Sequence, residues 1–250
     1  MKLLDKKVAI VTGSARGIGK GISEVLSAQG ACVVMCDIDE KNVKKAAYEI
    51  RKKTCFETES LGFDITNAED IDRLVNFTKD KFGKIDILVN NAGVIFQQSI
   101  FDTDEKSWDK TYSINTKGPF FLSQAVAKIM MKQRKGKIIN IASDSAMHAW
   151  PNEASYSSSK AALLALTRVL ALELGPYNIN CNAICPGATD TEMLRGFGEE
   201  KIKACIEATC LKRIAKPTDI GNVVLFLASH LSDHITGEHL IVTAGEIMSQ

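Results

Sequence analysis

The chain has 250 residues, 45% hydrophobic and 24% charged, with 31 Lys+Arg against 30 Asp+Glu and a formal net charge of +1. An ordinary apolar fraction with almost no net charge excludes intrinsic disorder and binding of nucleic acid by bulk charge. No apolar stretch approaches the ~20 residues of a membrane span, so no membrane partner is expected. The first seven residues are charged and lead straight into Val8-Ala9-Ile10-Val11 without a small-residue cleavage site. No signal peptide is therefore expected, and the cytoplasm is the expected compartment. The seven cysteines include no Cys-x-x-Cys and mostly have apolar neighbours. They are expected to be reduced, buried thiols, and no metal site is expected, because no His is placed to complete one around Cys32 and Cys36.

Apolar runs alternate with amphipathic segments. In chain order the pattern predicts a strand at 8–12, a helix at 17–28 ended by Gly30, a strand at 31–36, and a charged helix at 40–53. A weaker strand follows at 58–63, then a helix at 68–82 with Ile71, Leu74, Val75 and Thr78 on one face, and a strand at 85–89. A long helical stretch at 105–133 precedes a strand at 137–141, a helix at 155–174 and a strand at 179–184. Residues 189–209 read as a surface excursion, followed by a helix at 218–227 and a strand at 240–242. No repeat or linker interrupts the series. The expectation is a single α/β domain over 1–250, a doubly wound parallel sheet of about seven strands with helices on both faces. Its ligand crevice is expected at the carboxyl ends of the strands. A cofactor half would run to about residue 95 and a catalytic and substrate half from 96 to 250.

The first strand runs into Thr12-Gly13-Ser14-Ala15-Arg16-Gly17-Ile18-Gly19. Glycines between a strand and a helix permit a tight turn and a close approach of pyrophosphate, while the helix start offers free N–H groups. The second strand ends at Asp37, 18 residues after Gly19. A carboxylate there can accept both ribose hydroxyls and repels a 2′-phosphate, which favours NAD over NADP. Capping of the next helix is the alternative role for Asp37 to Asp39. Arg16 could instead pair with a 2′-phosphate.

The spacing resembles the T-G-x-x-x-G-x-G fingerprint of the short-chain dehydrogenase/reductase family. The resemblance extends through Asn90-Asn91-Ala92-Gly93, Ser143, Tyr156-Ser157-Ser158-Ser159-Lys160 and Pro186-Gly187-Ala188-Thr189-Asp190-Thr191. It implies a Rossmann fold in which Gly13, Arg16, Gly17, Ile18 and Gly19 hold the cofactor with Asp37. Asp64 and Ile65 would flank the adenine, with a local cap as the alternative for Asp64. Asn91, Ala92 and Gly93 would lie along the cofactor, and Pro186, Gly187, Thr189 and Thr191 around its nicotinamide. Tyr156 and Lys160, four apart, share one helix face. An ammonium and a positive nicotinamide can together stabilise a phenolate, so Tyr156 can exchange a proton while hydride moves. Ser143 can hold the substrate oxygen. Asn115 matches the family's fourth catalytic position, an anchor for a water relay from Lys160. Where the family often has V-D-G-G after the last strand, this chain has Val242-Thr243-Ala244-Gly245.

The loop from Asp144 to Glu153 is expected to wall the substrate pocket with Phe96, Gln97 and a lid at 193–197. Gln97, Asp144, Ser145, His148, Asn152 and Glu153 could face a polyhydroxylated substrate. Met147 and Trp150 could instead cover an acyl chain or flat ring. The reading is an NAD(H)-dependent oxidoreductase interconverting a small-molecule secondary alcohol and ketone, with a sugar or polyol as substrate. A 3-oxoacyl-[acyl-carrier-protein] reductase is the alternative enzyme. A catalytically idle NAD-binding regulatory protein is the alternative from another class. The resemblance also implies a homotetramer, and the 161–174 helix is apolar on more than one side.

Overall fold

Seven apolar runs become parallel strands: β1 (Val8–Thr12), β2 (Cys32–Asp37), β3 (Thr58–Gly62), β4 (Ile87–Asn90), β5 (Gly136–Ile141), β6 (Ile179–Pro186) and β7 (His239–Val242). The computed structural model describes residues 2–248; Met1, Ser249 and Gln250, the ends of the expected domain, lie outside the described residues. The strands stand in the order β3-β2-β1-β4-β5-β6-β7 with every pairing parallel. Nine α-helices are described: α1 (Gly17–Ala28), α2 (Glu40–Thr54), α3 (Ala68–Phe82), α4 (Glu105–Tyr112), α5 (Gly118–Gln133), α6 (Ala154–Leu174), α7 (Glu192–Arg195), α8 (Glu199–Ala208) and α9 (Pro217–Ala228). None of them is long and apolar enough to cross a membrane.

Side chains alternate across each strand, so β1 feeds both faces of the sheet. Ala9 and Val11 join Ile22 and Leu26 of α1, Ile50 of α2 and Val224 of α9. Ile10 joins Leu74 of α3, Met130 of α5 and Leu174 of α6. Cover on both sides leaves every residue of β1, β4 and β5 buried, which is why these strands read as continuous apolar runs. The chain winds outward from β1 to β3, then crosses back to β4. That reversal leaves a crevice beside the carboxyl ends of β1 and β4.

Two expectations are refined and one is corrected. The stretch at 105–133 is helical throughout, as expected, but α4 and α5 meet at a π-turn over Ser113–Lys117. The excursion at 189–209 contains α7 and α8. The thiols are all free, but only Cys36, Cys181 and Cys185 are buried, while Cys55 and Cys210 are exposed. Apolar neighbours in sequence place a Cys on a strand or helix; only the face it occupies decides its burial.

Helices α1 and α9 touch through glycine. A Cβ on Gly21 would lie 2.5 Å from Pro217 Cβ and 2.7 Å from its carbonyl carbon, and one on Gly221 would lie 3.0 Å from the Gly21 carbonyl oxygen. In an isolated helix Gly21→Ala would gain about 1 kcal/mol of propensity. Here the contact is with backbone, and overpacking of this kind costs about 1–3 kcal/mol. Gly21→Ala is therefore expected to lower the denaturant midpoint, by a net stability of about 1 kcal/mol; an unchanged midpoint would show that the two helices separate freely.

Candidate active site

The turn after β1 is held from two sides. Gly13 has φ +61°, and a Cβ there would lie 2.7 Å from Ala92 Cα. Thr12 Oγ1 accepts the N–H groups of Asn91 and Ala92, each at 2.9 Å. Asn91 Nδ2 donates to the carbonyls of Thr12 and Gly13. Asn90 Nδ2 donates to Asn140 Oδ1 at 2.8 Å, which ties β4 to β5. Gly19 serves packing rather than lining: its Cβ would strike the Gly13 carbonyl oxygen at 2.3 Å. Gly17 has φ +56° and opens α1, whose first turn carries no side-chain cap. Its first N–H groups are thus left for an anion.

At the tip of β2, Asp37 accepts the N–H of Ala15 and that of Asp39, each at 3.0 Å. The capping role falls to Asp39, which accepts the Asn42 N–H at the start of α2. Arg16 also lines the cleft described next, where its guanidinium pairs with Glu192 of α7 at 2.7 Å. Asp64 accepts both the N–H and the hydroxyl of Thr66, while Asn67 caps α3, so Asp64 is not the helix cap. Ile65 is buried beneath it. Gly13, Gly17, Ile18, Asp37, Asp64 and Ile65 line one end of a cleft of about 920 Å³; Asn91, Ala92 and Gly93 line its middle. Glycines without room for a Cβ, uncapped N–H groups and a carboxylate at the β2 tip form a donor and acceptor set that fits a pyrophosphate and a ribose diol.

At the other end, Ser143 follows β5 and caps a short 3₁₀ turn over Asp144–Ala146. Its Oγ donates to Asp144 Oδ1 at 2.8 Å and accepts the Ser145 N–H at 3.2 Å. Tyr156 and Lys160 stand on the first turns of α6. Lys160 Nζ donates to the Ile141 carbonyl at 2.8 Å and lies 5.8 Å from the Tyr156 ring centre. Asn115, fully buried in the π-turn, accepts the Val94 N–H and donates to the Val94 carbonyl and to Ser159 Oγ. The widened turn is what carries this amide inward, a use typical of π-bulges. Both Nδ2 hydrogens are spent on protein, so from this side chain only the second lone pair of Oδ1 is left for the relay implied for Asn115.

The electrostatics of the protein alone run opposite to a lowered phenol. Burial pushes the Tyr156 phenol well above its ordinary value; the Ser143 hydroxyl opposes this, and Asp144, Glu153 and Cys185 add to it. Burial also pulls the Lys160 ammonium down to about 8. An ammonium 5.8 Å from the ring does not by itself outweigh desolvation of the phenol.

Around these groups, Gln97, Ser145 and Trp150 line the cleft, as do Pro186, Gly187, Thr189 and Thr191. Thr191 also caps α7 by accepting the Leu194 N–H. His148 and Asn152 are corrected: neither lines the cleft. His148 is exposed, its ring edge-on to Trp150 with centroids 4.8 Å apart. Asn152 sits at an exposed turn with φ +66°, where its carbonyl accepts the Gln98 N–H. The 3₁₀ turn sends Ser145 inward to donate to Glu153 at 2.9 Å, while Met147, His148, Ala149, Pro151 and Asn152 face solvent. Met147 and Arg195 also lie outside the cleft, whereas Phe96, Met193 and Phe197 line it.

Among the lining residues not foreseen are Lys110, Lys201, Cys205 and Glu246. They come from α4, α8 and the segment after β7, none of which carries a motif. In that last segment Ala244 takes φ +54°, a conformation that costs a residue with a Cβ about 1 kcal/mol. Thr243 Oγ1 braces the turn against both the N–H and the carbonyl of Ile247. Among the described residues no three His, Cys, Asp or Glu side chains are grouped to hold a metal ion.

A family model described as enoyl-(acyl carrier protein) reductase matches residues 13–246. The chain is 41% identical over 243 residues to an NAD-dependent glycerol dehydrogenase of Listeria innocua, covering 96% of this chain and 93% of that protein. It is 32% identical over 245 residues to a 3-oxoacyl-[acyl-carrier-protein] reductase of Thermotoga maritima, covering 98% and 99%. Among solved structures, a 7α-hydroxysteroid dehydrogenase complexed with NADH and 7-oxo glycochenodeoxycholic acid superposes with a TM-score of 0.94. It is 36% identical and is covered to 96%, against 98% of this chain.

Burial raises the thiols of Cys181 and Cys185 to about 12 from an ordinary 9.0, and raises Cys36 and the Tyr156 phenol as well. From pH 9 upward the native state therefore keeps protons that the unfolded chain releases, and stability falls. Lys160 works the other way between 8 and 10.5, since its buried ammonium is relieved as it loses its proton. One such group is outnumbered, so the melting temperature is expected to fall between pH 8.5 and 10.5, less steeply in Cys181→Val. A flat or rising melting curve would contradict the burial of these thiols.

Proposed function

This chain belongs to the short-chain dehydrogenase/reductase family of oxidoreductases, and we propose that it interconverts a secondary alcohol and a ketone with NAD on a small sugar or polyol. One observation carries the reading: a cleft with the Asp37 carboxylate at one end and Ser143, Tyr156 and Lys160 together at the other. Polar groups at the substrate end and the likeness to a glycerol dehydrogenase support a polyol.

NAD, when bound, supplies the hydride acceptor of the reaction. Asp37 takes the adenosine ribose hydroxyls; both its oxygens retain acceptor capacity beside the N–H groups they already hold. The free N–H groups opening α1 hold the pyrophosphate. Asp64 and Ile65 would hold the adenine, Asn91, Ala92 and Gly93 the middle of the cofactor, and Pro186, Gly187, Thr189 and Thr191 its nicotinamide, since all of them line the cleft. In its phenolate form Tyr156 takes the substrate hydroxyl proton, and its high affinity for that proton makes it the neutral donor in the reverse direction. Lys160, held by the Ile141 carbonyl, orients toward the ribose and the phenol. Ser143 holds the reacting oxygen. Asn115 keeps Val94 and Ser159, and through them the α6 turn carrying Tyr156 and Lys160, in place.

The protein works in the cytoplasm as a homotetramer. Exposed Val169 and Leu172 on α6 support the assembly, and sedimentation equilibrium at four chain masses is the expected result. A reading as a 3-oxoacyl-thioester reductase is favoured by the relative at 32% identity, and turnover of glycerol with NAD against a 3-oxoacyl thioester with NADPH separates the two.

Tyr156→Phe is expected to cut kcat by about 10³-fold with glycerol and NAD while leaving NADH binding within about twofold. Retained turnover would remove Tyr156 from the proton step. Asp37→Ser is expected to shift the NADP:NAD ratio of kcat/KM at least ~10-fold toward NADP, the equivalent of about 1.4 kcal/mol. Turnover confined to NADPH and a 3-oxoacyl thioester would transfer the proposal to that second reading.

A further inference from the structure

The reacting oxygen accounts for Ser143 and Tyr156 but not for the carboxylate beside them. Asp144 is only 9% exposed, yet it lines the cleft. Its Oδ1 is saturated by the Ser143 hydroxyl and the Ser145 N–H, each at 2.8 Å. Its Oδ2 has no hydrogen-bond partner among the described residues. It is also absent from the sealed, partnerless side-chain atoms, which are Asn90 Oδ1 and Ser157 Oγ. A carboxylate withdrawn from water is costly unless its oxygens are hydrogen-bonded. The bare oxygen of Asp144 therefore calls for a donor arriving through the cleft.

The nearest groups of the surrounding protein are mostly acceptors; the exposed His148 ring acts on the Asp144 charge from a distance, with no side-chain hydrogen bond to it among the described residues. Glu153 is occupied by the Ser145 hydroxyl, and Glu246 is close enough for the charge of Asp144 to raise its pKa, after burial. Lys201, one of the cations lining the cleft with Lys110 and Lys160, lies over the Trp150 ring at 5.4 Å. An anionic substrate meets three carboxylates here, and a cationic one meets Lys160 and Lys201. A neutral hydroxyl meets neither penalty. Its position follows from the Ser143 bond. Ser143 Oγ bonds Asp144 Oδ1 at 2.8 Å, so the free Oδ2 of the same carboxylate lies next to the Ser143 hydroxyl, placed for a hydroxyl on the carbon beside the one whose oxygen meets Ser143.

We propose that Asp144 is a specificity-determining residue whose free oxygen accepts a second hydroxyl of the substrate, on the carbon next to the reacting one, selecting vicinal diols over simple alcohols. The inference rests on the dehydrogenase reading above. In the reaction the carbinol C–H leaves as hydride to NAD and its O–H proton passes to Tyr156. The product is an α-hydroxy ketone, and the second hydroxyl stays intact on Asp144.

The test compares kcat/KM with NAD for propane-1,2-diol and propan-2-ol in the full-length protein, in Asp144→Asn and in Asp144→Ala. Melting temperature and NADH affinity are recorded for each. The wild type is expected to favour the diol by at least ~100-fold, and the variants to lose about 10–100-fold of that ratio, the range for one hydrogen bond to a charged group. Asp144→Asn keeps the shape of the side chain and an oxygen for the Ser145 N–H, so it reports even if the alanine variant does not fold. An unchanged ratio with both rates lowered would overturn the proposal, since Asp144 would then act only by positioning Ser143. A wild type indifferent to the second hydroxyl would overturn it too. A wild type silent toward both alcohols but active on a thioester or steroid ketone would overturn the polyol reading itself, and this inference with it.

Discussion

One buried amide joins the parts of this molecule that the sheet does not. Asn115 bonds both main-chain groups of Val94, just past β4, and the Ser159 hydroxyl, between Tyr156 and Lys160 on α6. The chain after β4, the helix pair α4–α5 and the helix bearing the reactive side chains are thereby fixed to one another. A partner left bare in such a fully buried place would lose about 1–3 kcal/mol. The side chain reaches all three because the helix widens at Ser113–Lys117. Straightening that turn would rotate Asn115 along the helix and release every contact at once.

The two ends of the cleft are built by different physics. The end near α1 is mostly main chain: a turn locked by Thr12 and Asn91, glycines without room for a side chain, and N–H groups without a cap. The opposite end is a set of buried ionisable side chains whose proton affinities are displaced in opposite directions, Tyr156 upward and Lys160 downward. Desolvation sets both directions. Any cation brought beside the phenol would counter the larger displacement, so the proton chemistry proposed here is coupled to occupancy of the cleft.

The doubly wound parallel sheet and nearly every element could be read from the chain because a parallel sheet covered on both faces demands continuous apolar runs, and because the turns carry glycine. The glycine turn, Asp37, Asn91 and the Tyr156–Lys160 spacing were legible for the same reason: each is a local pattern at a strand or helix end, and the structure brings them to one cleft. The π-turn was not legible, since one extra residue in a turn leaves the apolar rhythm of 105–133 intact. His148 and Asn152 were misplaced because loop polarity says nothing about which way a residue faces; the 3₁₀ turn after Ser143 decides that. Lys201 and Glu246 were invisible for a different reason. They enter the cleft from α8 and from the segment after β7, and only the folded chain brings them beside Asp144.

That last arrangement bears on how such a molecule changes over generations. The walls that would tell one substrate from another hang on short segments outside the sheet, on the 3₁₀ turn, α7, α8 and the tail beyond β7. The machinery they surround is anchored to strands buried on both faces. Substitutions in the walls leave the sheet's packing untouched, and the main-chain cradle tolerates them because few side chains take part in it. New selectivity can therefore be acquired piecemeal in the appended segments, while the inherited chemistry stays under the separate constraint of a dense core. Family-wide diversity of substrates on one unchanging scaffold is the expected outcome of that separation.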